Sequence, residues 1–512
     1  MKAHKVFNVV IAIIFLLAIS LPLVMVNKTQ GRVSVAENRV LAKFPDFTLG
    51  DGKLNTHFIK EFEAWFNDNL GFRDKFVQEN TKIQYNLFGR LTKADTLVGK
   101  NEWLYYVTPE IIADYQHLNL PSDQQLKEWG DSLEKTNNYL KGKEIPFIVM
   151  LNPDKKTIYP ENYPDTILKV GDISRSDLID NYFKKNTNLD YFTPKDQLLK
   201  AKSKATVYSP RYDNGHWNNY GAFIGYTELM KRVRKYYPDI KVISWKDFDI
   251  SEYQRENIVY NAISFPETDY AFNYKEKRLA HETSGVLDNL NLSTTMMAVS
   301  YKNSNSKLPR ALILGDSYLY GFMTPNLAES FSETYFIYSD NINRIKDFVE
   351  IFNPDIVIYE NVERSFEKTM NILSTSTEFM EYEPFKNLPV ISTTNPMWLD
   401  YFNNELVQNQ ENVILDKTSG TVSLNGWAID PRANDVANSI FLKIGDKYYP
   451  GSYGESRTSV SEYFKNTNLT NSGFTFNVNA EELIKAGKIS FIIISKDKTY
   501  QYAPVEYKVV TK

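Results

Sequence analysis

The sequence predicts an α/β fold. A mostly parallel sheet flanked by helices is preceded by a transmembrane helix and followed by a C-terminal all-β sandwich. Three observations carry this prediction. Strand-like and helix-like periods alternate over residues 122–238 and again over 311–359. Beyond about residue 410 the pattern becomes a period of two broken by glycine turns. Residues 7–26 form an uncharged apolar run behind Lys2 and Lys5.

At 512 residues the chain exceeds one ordinary core, so two or three domains are expected. A hydrophobic content of 42% with 14% aromatics is that of a globular protein. The net charge of −4 argues against nucleic acid as a partner. The absence of cysteine excludes disulfides, thiolate metal sites and a cysteine nucleophile.

The apolar run supplies the roughly 20 residues that a helix needs to cross a bilayer. No small-x-small cleavage pattern follows it, so an uncleaved anchor over 1–28 is expected, with the rest of the chain outside the cytoplasmic membrane. Residues 29–45 are polar and mixed and read as a stalk. Phe58, Phe62, Trp65 and Phe66 recur at i, i+4, i+7 and i+8, which predicts a helix with its aromatic stripe packed in the core. Asn69-Leu70-Gly71 ends it.

Helices are predicted over 125–139, 220–236 and 341–352. Strands are predicted over 145–150, 205–208, 311–314, 335–338 and 355–359. Residues 249–307 show no clear period and read as a loop-rich insertion. The stretch 384–409 is expected to connect a domain over 29–383 to a sandwich over 411–512. In that sandwich Val422, Leu424, Ile440, Leu442, Phe474, Phe476, Phe491 and Ile493 alternate, with turns at Gly426, Gly451, Gly473 and Gly487.

The chemistry centres on Ala311-Leu312-Ile313-Leu314-Gly315-Asp316-Ser317. A short apolar strand ending in Gly-Asp-Ser lifts a small hydroxyl to the carboxyl end of the sheet, where open α/β proteins keep their sites. A serine hydroxyl near neutral pH needs a base to take its proton as it attacks. Of the five histidines, His216 alone lies in a loop between a predicted strand and a predicted helix. Imidazole suits that transfer, which is worth about 10²–10⁴-fold. A carboxylate on its other nitrogen would fix the tautomer and stabilise the imidazolium. Asp213, three residues upstream, can reach it. The backbone amide of Ser317 is a candidate donor to the developing oxyanion. With one plausible histidine and no clustered ligands, no metal site is expected, and no cofactor is implied.

These motifs resemble the SGNH hydrolase-like domain of the AlgX/AlgJ group, the alginate O-acetylation proteins and their relatives. The resemblance runs over 37–366. It rests on Glu37-Asn38-Arg39-Val40-Leu41, on Asp68-Asn69-Leu70-Gly71-Phe72-Arg73 and on Asn152-Pro153-Asp154-Lys155-Lys156. It continues with His216-Trp217-Asn218, Gly315-Asp316-Ser317, Pro354-Asp355-Ile356-Val357 and Glu363-Arg364. The group's usual Asp-x-His-Trp has Asn214 at the acid position here. Either Asp213 serves as the acid or Asn214 holds the ring, and the Asp-x-x-His spacing favours Asp213.

The resemblance implies a Ser317, His216, Asp213 acyl-enzyme mechanism that moves acetyl onto an exported polysaccharide beside a membrane-bound O-acyltransferase partner. It also implies a carbohydrate-binding role for the sandwich, with Trp427, Tyr448, Tyr449 and Tyr453 as candidate sugar platforms. An acetylesterase with the same triad and a non-catalytic glycan-binding assembly protein are the alternatives.

Overall fold

The computed structural model describes the chain except for residues 1, 30, 35–38, 49–51, 289, 291, 293–296, 393–395, 409–410 and 416–419, and for residues 2–5 it describes the backbone alone. Glu37 and Asn38 of the first motif therefore lie outside the described residues.

The apolar run forms one helix, α1 (Lys2–Val24), whose segment Val6–Val24 is long and apolar enough to cross a membrane. The predicted stalk is folded back instead. Its strands β1 (Val33–Ser34) and β2 (Arg39–Val40) pair antiparallel. They lie against helices α2 (Phe58–Asn69) and α3 (Arg73–Phe88). Arg39 donates to Asp68 at 2.7 Å, Ala42 N donates to the same carboxylate at 2.8 Å, and Arg32 pairs with Asp74. Polar residues suggested a stalk, yet ion pairs hold this segment together with the burial of Leu41.

The aromatic stripe of α2 also departs from expectation. Phe44, Phe58, Phe62, Trp65 and Phe66 touch one another, yet none is buried. The period matches the helix, but the rings pack on one another and on Phe44 and Phe47, and among the described residues they join no buried core cluster.

A small hairpin of β3 (Thr96–Val98) and β4 (Leu104–Tyr106) leads into the main sheet. That sheet is built from β5 (Phe147–Asn152) and β6 (Asp190–Phe192), then, beyond a long hairpin, from β9 (Ala280–Thr283), β10 (Val299–Asn303), β11 (Arg310–Gly315), β12 (Glu333–Tyr338) and β13 (Ile356–Val362). The order is β6-β5-β13-β11-β12-β10-β9. The strands from β6 to β12 run parallel, and β10 and β9 close one edge antiparallel.

Alternate residues of each strand feed two different cores, as the pleat requires. Ile148, Met150, Ala311, Ile313 and Ile358 face the helix Asn219–Tyr236 through Phe223, Tyr226 and Met230. Phe147, Val149, Leu312, Leu314 and Val357 face the helices Asp123–Gly142 and Ile345–Phe352 through Trp129, Leu133 and Phe348. With both faces covered, the strands read as continuous apolar runs, which is why they were legible.

Two predicted features change. Residues 205–208 form no strand; only Tyr208 makes an isolated bridge, to Trp217. Val207 spends its backbone groups outside any ladder, on the Tyr159 hydroxyl and on Asn218 N. The supposed loop-rich insertion begins with a hairpin of two 12-residue strands, β7 (Phe248–Val259) and β8 (Ile263–Tyr274). Most of β7 is exposed on both faces, so no hydrophobic period marks it.

The C-terminal region packs two sheets face to face around Leu424, Ile440, Phe474 and Phe491. The stretch expected as a connection contributes to them: Met397–Phe402 pairs with Thr421–Asp430, and Val390–Ile391 pairs with Gln501–Tyr502. Thr377 Oγ1 donates to Gly451 O at 2.5 Å, and Tyr382 OH donates to Gln501 at 2.8 Å, tying the sandwich to the α/β unit.

Candidate active site

Ser317 follows β11, the strand between β12 and β13, in the turn Asp316-Ser317-Tyr318-Leu319 that Leu319 N closes onto Asp316 O at 3.2 Å. The glycine before it is obligatory. A Cβ on Gly315 would lie 2.9 Å from the Phe336 ring and 3.1 Å from Glu360 Oε2. Asp316 is buried, and its carboxylate accepts Tyr318 N at 2.8 Å and Val362 N at 2.7 Å, locking the Ser317 turn to the end of β13.

His216 stands on the loop before the helix Asn219–Tyr236. Its Nε2 lies 2.8 Å from Ser317 Oγ, and its Nδ1 lies 2.9 Å from Asp213 Oδ2. Asp213 Oδ1 also accepts the backbone N–H groups of Gly215 and His216, each at 2.7 Å. Burial alone would raise the Asp213 carboxyl. The hydrogen bond and charge of His216, with those two N–H groups, outweigh it and hold the carboxyl well below the usual range. It is therefore an anion placed against an imidazole, the arrangement that favours imidazolium when Nε2 takes a proton.

Asn214 does not contact the ring. Its amide donates to Thr96 Oγ1 at 2.8 Å and Asp95 O at 3.2 Å, turning it toward β3. A site cavity of about 480 Å³ opens over the pair, lined by Tyr106, Asn214, His216, Ser317, Tyr338 and Arg364.

Several residues that brace this geometry were given no role from the sequence. Trp217 Nε1 donates to Tyr318 O at 2.9 Å, and Tyr318 OH donates to Gly215 O at 2.7 Å. Arg364 donates to Asp154 at 2.6 Å and to Tyr318 OH at 3.2 Å. Lys155 is buried, and its Nζ donates to Leu104 O, Pro210 O at 3.2 Å and Asp213 O at 3.0 Å. Burial pulls that ammonium down to about 7, against the attraction of Asp213, Glu267 and Asp154. Glu267 of β8 accepts Ser209 Oγ, Arg211 N and Tyr212 N at 2.7–3.0 Å, fixing the loop that carries Asp213. Asp154, Lys155, Trp217 and Arg364 sat in recognisable motifs. Glu267 lies in a hairpin with no local signal.

The four candidate sugar platforms are not brought together. Tyr453 is buried, with its hydroxyl donating to Ala428 O at 2.6 Å, so it belongs to the sandwich core. Tyr448 stacks on Tyr382 at 4.1 Å, and Tyr449 donates to Glu482 at 2.5 Å, both on the opposite sheet from Trp427. Trp427 instead borders an open groove with Trp398, Tyr463 and Phe464.

Two substitutions separate the roles of the loop residues. Asp213→Ala should lower turnover of an acetyl ester by about 10²–10⁴-fold, because the imidazolium loses its carboxylate. Asn214→Ala should lower it less than about tenfold, since only the β3 contact is lost. Initial rates on the purified variants measure both, and the reverse ranking would reassign the acid.

A second prediction concerns Glu360, which accepts Asp316 N at 2.9 Å and Asn152 Nδ2 at 2.6 Å. Burial, then the charge of Asp316, hold its carboxyl well above the ordinary 4.5. For a carboxyl raised in the fold, the stability it contributes is full below 4.5 and is lost as pH rises toward the folded value. Glu360→Gln cannot suffer that loss. Its melting temperature should exceed that of the parent by a margin that widens from about pH 5 to 9; a margin independent of pH would contradict the assignment.

Comparison with known proteins follows from this geometry. Residues 96–284 match a family model described as the SGNH hydrolase-like domain of acetyltransferase AlgX. No curated protein matches the chain. Among solved structures, Bacillus cereus PatB1 with a sulfonyl adduct is 16% identical over 53% of this chain and 95% of that chain, with a TM-score of 0.42. The O-acetyltransferase domain of Pseudomonas putida AlgJ is 13% identical over 55% of this chain and 98% of that chain, with a TM-score of 0.36. Pseudomonas aeruginosa AlgX is 10% identical over 84% of this chain and 93% of that chain, with a TM-score of 0.34. The resemblance to the AlgX and AlgJ group is thus matched by the AlgX acetyltransferase family model over residues 96–284, a stretch that holds Asp213 and His216 and ends before Ser317.

Proposed function

We propose that this chain is a membrane-anchored, extracytoplasmic O-acetyltransferase acting on an exported or cell-surface polysaccharide. The observation that carries the reading is the relay Asp213–His216–Ser317, with contacts of 2.9 and 2.8 Å, whose His216 and Ser317 line an open cavity.

In the first half-reaction Ser317 Oγ attacks the carbonyl carbon of an acetyl donor while its proton passes to His216 Nε2. The tetrahedral intermediate collapses, the bond to the donor's leaving oxygen breaks, and that oxygen takes the proton from the imidazolium. Ser317 is left as an acetyl ester. In the second half a sugar hydroxyl gives its proton to Nε2 and its oxygen attacks the ester. Ser317 Oγ departs and recovers the proton. Asp213 stays ionised throughout and favours the imidazolium in both halves.

The anchor reading of α1 places the site on the outer side of the membrane, where a membrane-bound O-acyltransferase would deliver acetyl. A polysaccharide-binding sandwich would retain the acceptor. The sandwich groove at Trp398 and Trp427, not the four residues first singled out together, is the aromatic surface that supports that part of the reading.

Ser317→Ala and His216→Ala should each lower acetyl transfer by about 10³-fold or more, and the double variant should be no worse than either, because the two act as a unit. The measurement uses the purified chain with an acetyl ester donor, with and without an oligosaccharide acceptor. Acetylated sugar formed only by the parent chain supports the transferase. Acetate release indifferent to the acceptor, with no acetylated sugar, would establish an esterase instead.

A further inference from the structure

The exposed face of α3 inverts the usual order of a surface helix. On α3, Phe76, Ile83 and Leu87 fall within about a 40° arc at 100° per residue, and Phe72 lies just before the helix. All four are exposed, Leu87 to 71%, while Thr81 on the opposite side is buried. On α2, Ile59 is 81% exposed and Phe62 stands beside it. A contiguous apolar surface of this kind on a water-soluble unit marks an interaction site.

Its position says what covers it. The stripe starts where α1 ends. Gly71 N donates to Pro22 O at 3.1 Å, and Asn27 N donates to Asn69 O at 2.8 Å. A Cβ on Gly71 would lie 2.6 Å from Met25 Cβ and 2.8 Å from Pro22 O, so only glycine lets the α2–α3 corner approach the end of α1 so closely. The apolar surface of α1 is likewise uncovered along its length, with Val24 77% exposed. The outward stripe is therefore continuous with α1, the one helix among the described residues long and apolar enough for a bilayer interior.

We propose that α2 and α3 lie on the membrane surface with this stripe sunk into the boundary between headgroups and acyl chains, about 5–10 Å deep. The proposal rests on the reading of α1 as a membrane anchor. Together the three helices form a seat that fixes the height and tilt of the catalytic unit. The seat reaches the site by direct contacts. Tyr85 of α3 packs edge-on against Phe265 of β8 with ring centroids 5.5 Å apart. Two residues on, Glu267 holds the loop of Asp213. Arg39 of β2 lines a cavity with Asp213 and Tyr212.

The chain has no cysteine, so single cysteines report unique positions. Phe76→Cys and Leu87→Cys test the stripe, Ile14→Cys tests α1, and Lys485→Cys on the exposed side of a sandwich helix is the aqueous reference. Each full-length variant carries an environment-sensitive fluorophore and is reconstituted into phosphatidylcholine–phosphatidylglycerol vesicles with or without brominated acyl chains. Emission at positions 14, 76 and 87 should fall about twofold in brominated lipid while position 485 is unchanged. Quenching at 14 without quenching at 76 and 87 would overturn the seat and leave the anchor standing. In that case, access of aqueous iodide to 76 and 87 would show an open face, and exclusion of iodide a face covered by protein. No quenching at 14 would remove the anchor reading and the seat with it.

Discussion

The structure of the site depends on Tyr318. His216 and Ser317 lie 101 residues apart in sequence and meet through a half-exposed hydrogen bond. Such a bond contributes about 1 kcal/mol and cannot by itself register two loops. Tyr318 does so from beneath. Its ring is fully buried, its hydroxyl donates to the residue before His216, and its carbonyl accepts from the residue after. With both loops clamped on either side of the pair, Nε2 and Oγ are brought together without either side chain having to search.

Around this clamp the protein buries an unusual amount of charge. Lys156 pairs with Asp114 and Glu363 at 2.7 Å each, and Arg364 with Asp154. Buried ions cost several kcal/mol of desolvation apiece and repay it only when every group is satisfied. Their geometry indicates that they position loops more than they stabilise the fold. Lys155 makes the point: an ammonium has three N–H groups, and here they serve three carbonyls from three loop segments. A hydrophobic replacement would pack as well but could not join them.

Much of this was legible beforehand. The parallel strands were, because burial on both faces makes them continuous apolar runs. The helix Asn219–Tyr236 was, because its buried residues keep a helical period. Asp213, His216 and Ser317 were singled out from residue type and placement, and they are brought together in one relay. What escaped had no local hydrophobic signature. The β7–β8 hairpin is exposed along most of β7, the 29–45 segment is held by Arg39–Asp68 and Arg32–Asp74, and Glu267 acts on a loop more than fifty residues away. The α2 stripe shows the converse error. Its period correctly gave a helix, but a period reports that one face differs from the other, not whether that face meets a core or something outside the chain.

The sequence by itself determined the doubly buried parallel strands, the strand that lifts Ser317, the apolar span of α1 and the short list of groups able to do acyl-transfer chemistry. These follow from local side-chain order, which fixes backbone period and residue chemistry. Only the tertiary structure put the Asp213 side chain, and not that of Asn214, against the His216 ring, removed Tyr453 from the exposed surface, and set the α2–α3 corner against the end of α1. Those outcomes depend on which backbone groups a folded loop leaves free and which surfaces remain uncovered once distant segments pack. Asn214 turns away because Thr96, 118 residues upstream, takes its amide, and no local pattern encodes that.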